Sequence, residues 1–399
     1  MKIREKRKIA LALSGGGIKA AAFHIGVCLA LKEKGFRFLG GSPEVVQRST
    51  KQNDSMAIRL YVGSSAGSFI SSILASGYTI ESLVNAFEVG LGYNKIFNEF
   101  GLNELKPLTY RNMFALNTKG IMKSVPNFFR RKSIFSGGAE SLLKHAFSIN
   151  GLFTTNGVES YLRKHVLTVN NFKDLGVELF IVGTQLNHSR KVIFGDFKET
   201  SKDSQIMYAN FARISEAVAA STALPPVFAP YGINQGDGKE LYFFDGEIRD
   251  TLSTHVAADH GADLVISSYS VQPYHYTPEL GSLHQYGIPV IINQALYQVI
   301  QQKIEKHIEH QQEIRSIYNA VEGYLKQAHV EPVHRSRILE IIEKRVNFKP
   351  NVDYIYIHPR PQNHEMFFVD HFSLNPKIMA RIARIGFKSA ISTMRKYGL

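Results

Sequence analysis

Near the N-terminus, an apolar segment twice leads into a glycine-rich turn and then into a helical pattern. The first unit is "KIALALSGGGIKA", from residue 8, and the second is "AIRLYVGSSAGSF", from residue 57. Short apolar runs that end at glycine are typical of buried strands, and helical spacing follows each turn. Apolar and helical segments continue to alternate as far as "ADLVISSYS", at residues 262–270. This alternation predicts an α/β fold, in which helices cover both faces of a mostly parallel central sheet.

Length and composition agree with one large domain. The chain has 399 residues, 44% of them hydrophobic, and no Pro-rich or Gly/Ser-rich linker divides it. Enzymes of the α/β class often use this many residues in one domain. We therefore expect a single domain over 1–399, with an aromatic and basic insertion at 93–150 and a polar helical insertion at 275–345. A returning strand and a basic amphipathic helix are predicted to close the domain over 352–399.

The overall charge gives only a broad indication of partners. The chain carries 47 Lys and Arg against 34 Asp and Glu, which favours an anionic partner without choosing between nucleic acid, membrane and protein. Cys28 is the one cysteine and lies among apolar residues, so we expect a buried thiol and a reducing compartment. No apolar run approaches the ~18 residues of a membrane span, and "IALAL" is short for a signal peptide. These features predict a cytoplasmic protein without a classical export signal.

The second glycine-rich turn has the pattern Gly-x-Ser-x-Gly, formed by Gly63, Ser65 and Gly67. Between a strand and a helix, this pattern is typical of a sharp turn that lifts a serine hydroxyl clear of the sheet. Ser64 is then the intervening residue. Because Gly and Ser are also common in ordinary turns, the pattern by itself leaves a purely structural turn open.

The first turn places Gly15, Gly16 and Gly17 between a strand and a helix. Backbone N–H groups at a helix N-terminus can hold an anion, either a phosphate or the oxyanion of an attacked ester. Gly15, Gly17 and Ala20 also satisfy the dinucleotide pattern G-x-G-x-x-A. That pattern requires an acidic residue at the end of a second strand about twenty positions on, and no clear one follows here.

An activated serine needs a base, and Asp245 is the best candidate carboxylate. It ends the apolar segment "ELYFFDG" and precedes Gly246, so it should lie at the carboxyl edge of the sheet, where sites of open α/β folds assemble. Asp before Gly is also common in turns, which leaves a structural interpretation open for this residue on its own.

In this order, the glycine loop, the Gly-x-Ser-x-Gly turn and the distant Asp-Gly resemble the patatin-like phospholipases. "AVAASTALPPVFAP" and the segments after Asp245 are also similar to that family. The resemblance implies a three-layer α/β sandwich with a Ser–Asp dyad at the carboxyl edge of the strands, and no cofactor or metal. By motif, Ser65 would be the nucleophile, Asp245 the base and Gly15–Gly17 the oxyanion loop. Supporting motif positions would be Lys19, Gly63, Gly67 and Gly246.

Two positions depart from the family pattern. Glu247 follows Asp-Gly, where the family usually has Gly or Ala, and Ala20 follows Lys19, where the family usually has Gly. Glu247 adds a carboxylate near the expected site, where it could change the pKa of Asp245 or influence the choice of substrate. Neither departure removes a reacting group.

The resemblance implies a phospholipase A or lysophospholipase that cleaves fatty-acyl esters of membrane lipids. One alternative is an α/β-hydrolase with a Ser–Asp–His triad, for which His255, His260 and His275 are candidates. Another is a non-catalytic lipid-binding or scaffold protein of the same fold. Nucleic-acid binding has only the charge in its favour, and no metal-ligand spacing such as H-E-x-x-H is present.

The sequence also suggests how such a protein meets its substrate at a membrane surface. The segment "NFFRRK" combines aromatic residues, which can enter the interface, with cations that attract anionic head groups. An alternative for this segment is a lid that packs on its own domain. The polar helical stretch 293–345 is a candidate for self-association or for binding a regulatory activator. The candidate membrane contacts are Phe128, Phe129, Arg130, Arg131 and Lys132.

Overall fold

A computed structural model of the chain describes residues 2–50, 55–88, 105–118, 120, 122, 150–203, 205–236 and 238–399. Within these ranges, eleven strands form one central sheet and two short strands form a second sheet. The strands of the central sheet are β1 (Ile9–Leu13), β2 (Arg37–Phe38), β3 (Ala57–Ser64), β6 (Glu178–Gln185), β7 (Arg190–Phe194), β8 (Ser201–Lys202), β9 (Ile206–Ala209), β10 (Tyr231–Asn234), β11 (Glu240–Asp245), β12 (Leu264–Ser268) and β13 (Asp353–Ile357). The small sheet pairs β4 (Ala115–Leu116) with β5 (Phe153–Thr154).

The centre of the large sheet is parallel. Its order is β13-β12-β1-β3-β6-β7-β9-β8, and the first five strands all run in the same direction. Leu13 at the end of β1 lies opposite Ser268 on one side and Gly63 on the other. The carboxyl ends of these strands therefore meet at one edge. The predicted mostly parallel α/β sheet is confirmed.

The helices lie around this sheet. The described helices are α1 (Gly17–Glu33), α2 (Pro43–Ser49), α3 (Ala66–Ala75), α4 (Ile80–Ala86), α5 (Tyr110–Met113), α6 (Asn156–His165), α7 (Ile214–Ser221), α8 (Thr254–Asp259), α9 (Ile288–Gln327), α10 (Pro332–Val346), α11 (Glu365–Phe368) and α12 (Pro376–Arg395). None of these helices combines the length with the apolar composition that crossing a bilayer would require.

Alternate residues of β1 point to opposite faces of the sheet, and each face has its own core. Ile9 and Leu11 belong to the larger core, which also contains α1, α3 and α12. Ala10 and Ala12 belong to a smaller core on the other face, covered by α8. Side chains alternate across a strand, so two separate cores mean that both faces are covered. The structure thus has the three layers that the sequence predicts.

Helix α1 is buried almost all round because α12 packs directly on it. Two glycines allow the close approach of the two backbones. A Cβ atom at Gly26 would collide with the carbonyl of Ala383, and one at Gly386 would collide with the carbonyl of Phe23. One face of α12 is therefore fixed against the core, and its opposite face points outward.

Two long helices follow β12 in the chain. Helix α9 has 40 residues and packs on the rest of the fold through Tyr297 and Ile304, which are buried. Farther along, Ile314 and Tyr318 join Leu339 of α10 in a small core of their own. Strand β13 then returns to the edge of the sheet beside β12.

Candidate active site

Ser65 occupies a strained turn between β3 and α3. Its φ of 50° and ψ of −122° are rarely adopted by a residue with a side chain, and such strain typically costs about 1–3 kcal/mol. The two glycines of the pattern make the turn sterically feasible. A Cβ atom at Gly67 would overlap the backbone of Leu13, and one at Gly63 would overlap the backbone of Ser68. The turn has the strand-to-helix form expected of a nucleophile elbow.

The pairing of the strands brings Asp245 to Ser65. Strand β6 is offset along β3, so it pairs with β3 along its first half and with β11 along its second half. Ser64, at the end of β3, lies opposite Val182, and Asp245, at the end of β11, lies opposite Gly183. The two strands therefore meet end to end and bring the Ser65 hydroxyl beside the Asp245 carboxylate, close enough to lower its pKa.

Asp245 lies at the end of its strand and at the carboxyl edge of the parallel strands, where the sequence led us to expect it. The direction of its strand differs from theirs, because β11 runs antiparallel to β6. Asp245 reaches the same edge from the opposite direction. The reason is the register of β6 against β3: residues 183–185 of β6 extend beyond the end of β3 and leave hydrogen-bonding groups for another strand.

Burial changes the acidity of Asp245. Desolvation raises its pKa from 3.8 to about 6, and the Ser65 hydroxyl and the Glu247 N–H only partly oppose the rise. The Glu247 N–H donates to Asp245 Oδ1 over 2.9 Å. A carboxylate with a pKa near 6 is largely ionised at neutral pH and is a better proton acceptor than an exposed aspartate.

The backbone amide of Ser65 is hydrogen-bonded to Ser221, a residue that sequence analysis did not identify as functional. The Ser65 N–H donates to Ser221 Oγ over 2.8 Å, and the Ser221 hydroxyl donates to the Val182 carbonyl over 2.6 Å. Ser221 ends α7 and belongs to the segment "AVAASTALPP". It fixes the turn relative to β6 and thereby to Asp245.

The three glycines of the first turn differ in their contacts. The Gly15 N–H donates to Glu247 Oε1 over 2.7 Å. Gly16 and Gly17 have φ values of 129° and 72°, which favour glycine, and their N–H groups have no acceptor among the described residues. Gly17 and Ser65 line the same cavity. The loop thus offers N–H donors beside Ser65.

Glu247 fills the space between the glycine loop and the turn. A Cβ atom on Gly15 would overlap the Glu247 side chain and would come within 2.7 Å of Ser65 Cβ. Burial, and then the nearby charge of Asp245, raise the pKa of Glu247 well above its usual range. Glu247 is therefore protonated and neutral when Asp245 is ionised, because two buried carboxylates this close do not both carry charge.

The comparison with known families agrees with this geometry. The family model described as "Patatin-like phospholipase" matches residues 11–258, which include the glycine loop, Ser65 and Asp245. The chain belongs to the patatin-like phospholipase family. Membership places it among lipid acyl hydrolases in general. No curated protein matches the chain.

The cavity at Ser65 is narrow and apolar. Its volume is about 40 Å³, which is room for little more than one water molecule. The walls come from the first turns of α1 and α3 and from aromatic side chains around them. These aromatic side chains are Phe69, Phe87, Phe114, Phe228 and Phe372.

Lys19, a supporting motif position, is buried and does not line the cavity at Ser65. Its Nζ donates to Tyr297 Oη over 2.9 Å and to the Met366 carbonyl over 2.6 Å. Burial lowers its pKa to about 7. Lys19 therefore ties α1 to α9 and to the turn of α11, which both lie beyond the matched residues. Neither Tyr297 nor Met366 carried a sequence motif.

The histidines of the alternative triad do not reach Ser65. His255 Nε2 lies 2.9 Å from Lys191 Nζ, and His260 Nδ1 lies 2.8 Å from the Val256 carbonyl. His275 is exposed. His24, near the glycine loop, is buried with both ring nitrogens in hydrogen bonds to Ser14 and Ser268.

Two further predictions concern the membrane contacts and metal binding. The candidate membrane contacts Phe128, Phe129, Arg130, Arg131 and Lys132 lie outside the described residues. Within the described residues, no group of three or more His, Cys, Asp or Glu side chains is arranged to hold a metal ion.

Proposed function

We propose that this chain is a serine acyl hydrolase that cleaves fatty-acyl esters of phospholipids or lysophospholipids through a Ser65–Asp245 dyad. The observation that carries the proposal is the meeting of two strand ends, which brings the Ser65 hydroxyl beside the buried Asp245 carboxylate. The strained turn supports the role of Ser65, because strain of this kind concentrates at functional sites.

In the proposed mechanism, Asp245 accepts the Ser65 proton as Ser65 Oγ attacks the ester carbonyl. The Gly16 and Gly17 N–H groups are the donors for the oxyanion, since Gly15 already donates to Glu247. Removing one such donor costs about 2.7–4 kcal/mol in other hydrolases. Protonated Asp245 then gives its proton to the departing lysolipid or glycerol oxygen, which leaves an acyl-enzyme on Ser65.

In the second half of the reaction, water is the nucleophile and Ser65 Oγ is the leaving group. Asp245 takes a proton from water, the resulting hydroxide attacks the acyl-enzyme, and the proton returns to Ser65 Oγ as the fatty acid leaves. The apolar walls of the cavity suit a hydrocarbon chain. Because the cavity is only about 40 Å³, side chains such as Phe114 and Phe228 must move before an acyl chain can enter.

A covalent probe tests this proposal directly. A fluorophosphonate should label the wild-type protein with loss of fluoride, and mass spectrometry of the peptides should place the adduct on Ser65. Fatty-acid release from mixed phospholipid vesicles should fall in proportion to labelling. Labelling of another residue would contradict the nucleophile, and no labelling together with no fatty-acid release would favour a non-catalytic lipid-binding protein.

The pKa of Asp245 predicts the acid side of the pH profile. Asp245 must be ionised to accept a proton, and its pKa is raised to about 6. We expect kcat/KM for a soluble short-chain ester to be half-maximal near pH 6 and to fall about tenfold for each pH unit below it. A half-maximum near pH 4 would mean that the carboxylate which acts as base is exposed to solvent.

The neutral state of Glu247 gives a second prediction. Glu247→Gln keeps an oxygen that accepts the Gly15 N–H and replaces a neutral acid by a neutral amide. We expect kcat within about threefold of wild type and an unchanged acid limb. If Glu247 were ionised instead, its removal would lower the pKa of Asp245, and the acid limb would move to lower pH.

A further inference from the structure

We propose that the outward face of α12, together with Arg360, binds anionic phospholipid head groups and holds the protein on an anionic bilayer. The choice of a lipid partner rests on the proposed function. The binding surface itself is argued from charge, position and shape. We call it the α12 surface and define it by Lys377, Arg381, Arg384, Lys388, Arg395 and Arg360.

The cations of α12 form a stripe along one side of the helix. Arg381, Arg384 and Lys388 are separated by three and four residues, the spacing that keeps side chains on one face. All are exposed. From His371 to the end of the chain there is no Asp or Glu, so nothing on α12 itself compensates this charge.

The opposite face of α12 explains why this stripe points outward. Met379, Ile382, Ala383 and Ala390 are almost completely buried in the large core. The close contact at Gly386 fixes the rotation of the helix against α1. The cations therefore form a fixed surface about 30 Å long, at 1.5 Å per residue.

The α12 surface is concave where it meets the segment after β13. A groove of about 790 Å³ is lined by the helix and by residues 360 and 362–365. Arg360, which donates to Ser392 Oγ of α12 over 2.7 Å, lines it together with Arg384, Lys388 and Arg395. Arginine side chains bind phosphate oxygens in a forked geometry. Glu365 is the one acidic residue in the described lining, and it lies 3.6 Å from Arg381.

Apolar side chains also line the groove and favour a lipid over a nucleic acid. Ile385, Phe387 and Ile391 are only partly buried and lie between the cations. A phospholipid presents a phosphate and, directly beneath it, a glycerol ester and hydrocarbon. A groove with cations at its rim and apolar side chains between them matches that order of groups.

The position of the surface relative to Ser65 supports a role at the bilayer. Ile357 at the end of β13 is in register with Ser268, which is in register with Leu13, so Arg360 and Ser65 lie beyond the same edge of the sheet. Helix α12 begins four residues after Phe372, which lines the cavity at Ser65. A bilayer bound along α12 would therefore lie beside that cavity.

The test uses the full chain with Ser65→Ala, which should not hydrolyse the lipids, and measures how much of the protein sediments together with vesicles. We expect binding to vesicles of phosphatidylcholine with phosphatidylglycerol, little binding to phosphatidylcholine alone, and weaker binding at high salt. Arg384→Gln with Lys388→Gln should weaken binding to the anionic vesicles about 30-fold, at about fivefold for each cation removed.

The matched control removes the same charge elsewhere. Arg337→Gln with Arg345→Gln changes two exposed cations of α10 and should alter binding by less than about threefold. Equal weakening by both pairs, or no weakening by the α12 pair, would overturn the proposal. So would an α12 pair that loses binding to duplex DNA but keeps binding to vesicles.

A second readout separates this inference from the proposed function. In the chain with Ser65 intact, the α12 pair should hydrolyse a soluble short-chain ester at the wild-type rate and lose activity only on anionic vesicles. Absence of hydrolysis in every variant would count against the Ser65–Asp245 dyad and leave the vesicle-binding result to decide on the α12 surface. Equal loss on the soluble ester and on vesicles would show damage to the fold and contradict a separate binding surface.

Discussion

Ser65→Ala should lower kcat for ester hydrolysis by about 10⁴-fold or more, because it removes the atom that would form the acyl-enzyme. The variant should fold, since alanine is smaller than serine and the backbone amide that binds Ser221 is retained. Fatty-acid release and the fluorophosphonate adduct should disappear together. The thermal unfolding midpoint should stay close to that of wild type.

Asp245→Asn should cause a loss of the same order, because the amide cannot accept the serine proton. The effects should not add: the double variant should be about as inactive as either single variant, since the two groups act in one step. Ser64→Ala is the matched control, because Ser64 is the buried neighbour of Ser65 in the same turn. If Ser65→Ala kept its activity and Ser64→Ala lost it, the nucleophile would be Ser64 and the assignment of Ser65 would be wrong.

Local patterns were sufficient to predict the parts of the site that are made by one strand, one turn and one helix. The glycine loop before α1 and the turn at Ser65 both follow from short-range sequence, because glycine and serine there determine the backbone of the next few residues. The α/β class follows from the alternation of such units. These predictions needed no knowledge of which strands pair.

The contacts that the sequence did not predict join residues far apart in the chain. Gly15 and Glu247 are separated by 232 positions, and their hydrogen bond depends on how β11 ends beside β3. The sequence marked Glu247 as an additional carboxylate, but it could not show that the carboxyl group binds the glycine loop. The sequence did not predict the antiparallel direction of β11 for the same reason, since this direction depends on how far β6 extends past the end of β3.

The contacts of Lys19 were also not predictable from the sequence, because its partners lie beyond the residues that the family model matches. Its partner Tyr297 lies 278 residues away on α9, and nothing in the local sequence connects them. A buried ammonium group is costly unless polar atoms surround it. The hydroxyl of Tyr297 and the carbonyl of Met366 supply two such atoms.

This buried lysine should make the free energy of unfolding rise with pH. Burial lowers the pKa of Lys19 from 10.5 to about 7 in the folded protein, whereas the unfolded chain keeps the higher value. Between these values the unfolded chain binds one proton that the folded protein does not, so higher pH favours the folded state. One proton corresponds to about 1.4 kcal/mol per pH unit. From pH 7 to 9.5 the contribution should reach about 3 kcal/mol.

Lys19→Met isolates this contribution from other groups that titrate on unfolding. The buried thiol of Cys28, whose pKa is raised by burial, acts in the opposite direction at the upper end of the range and is the same in both proteins. The difference in unfolding free energy between wild type and Lys19→Met, measured by urea denaturation, should therefore grow by about 3 kcal/mol from pH 7 to 9.5. Lys173→Met, at an exposed position, should leave the pH dependence of wild type unchanged. If Lys19→Met behaves like Lys173→Met, the ammonium group of Lys19 is hydrated in the folded protein, and the link from α1 to α9 through Tyr297 does not hold in solution.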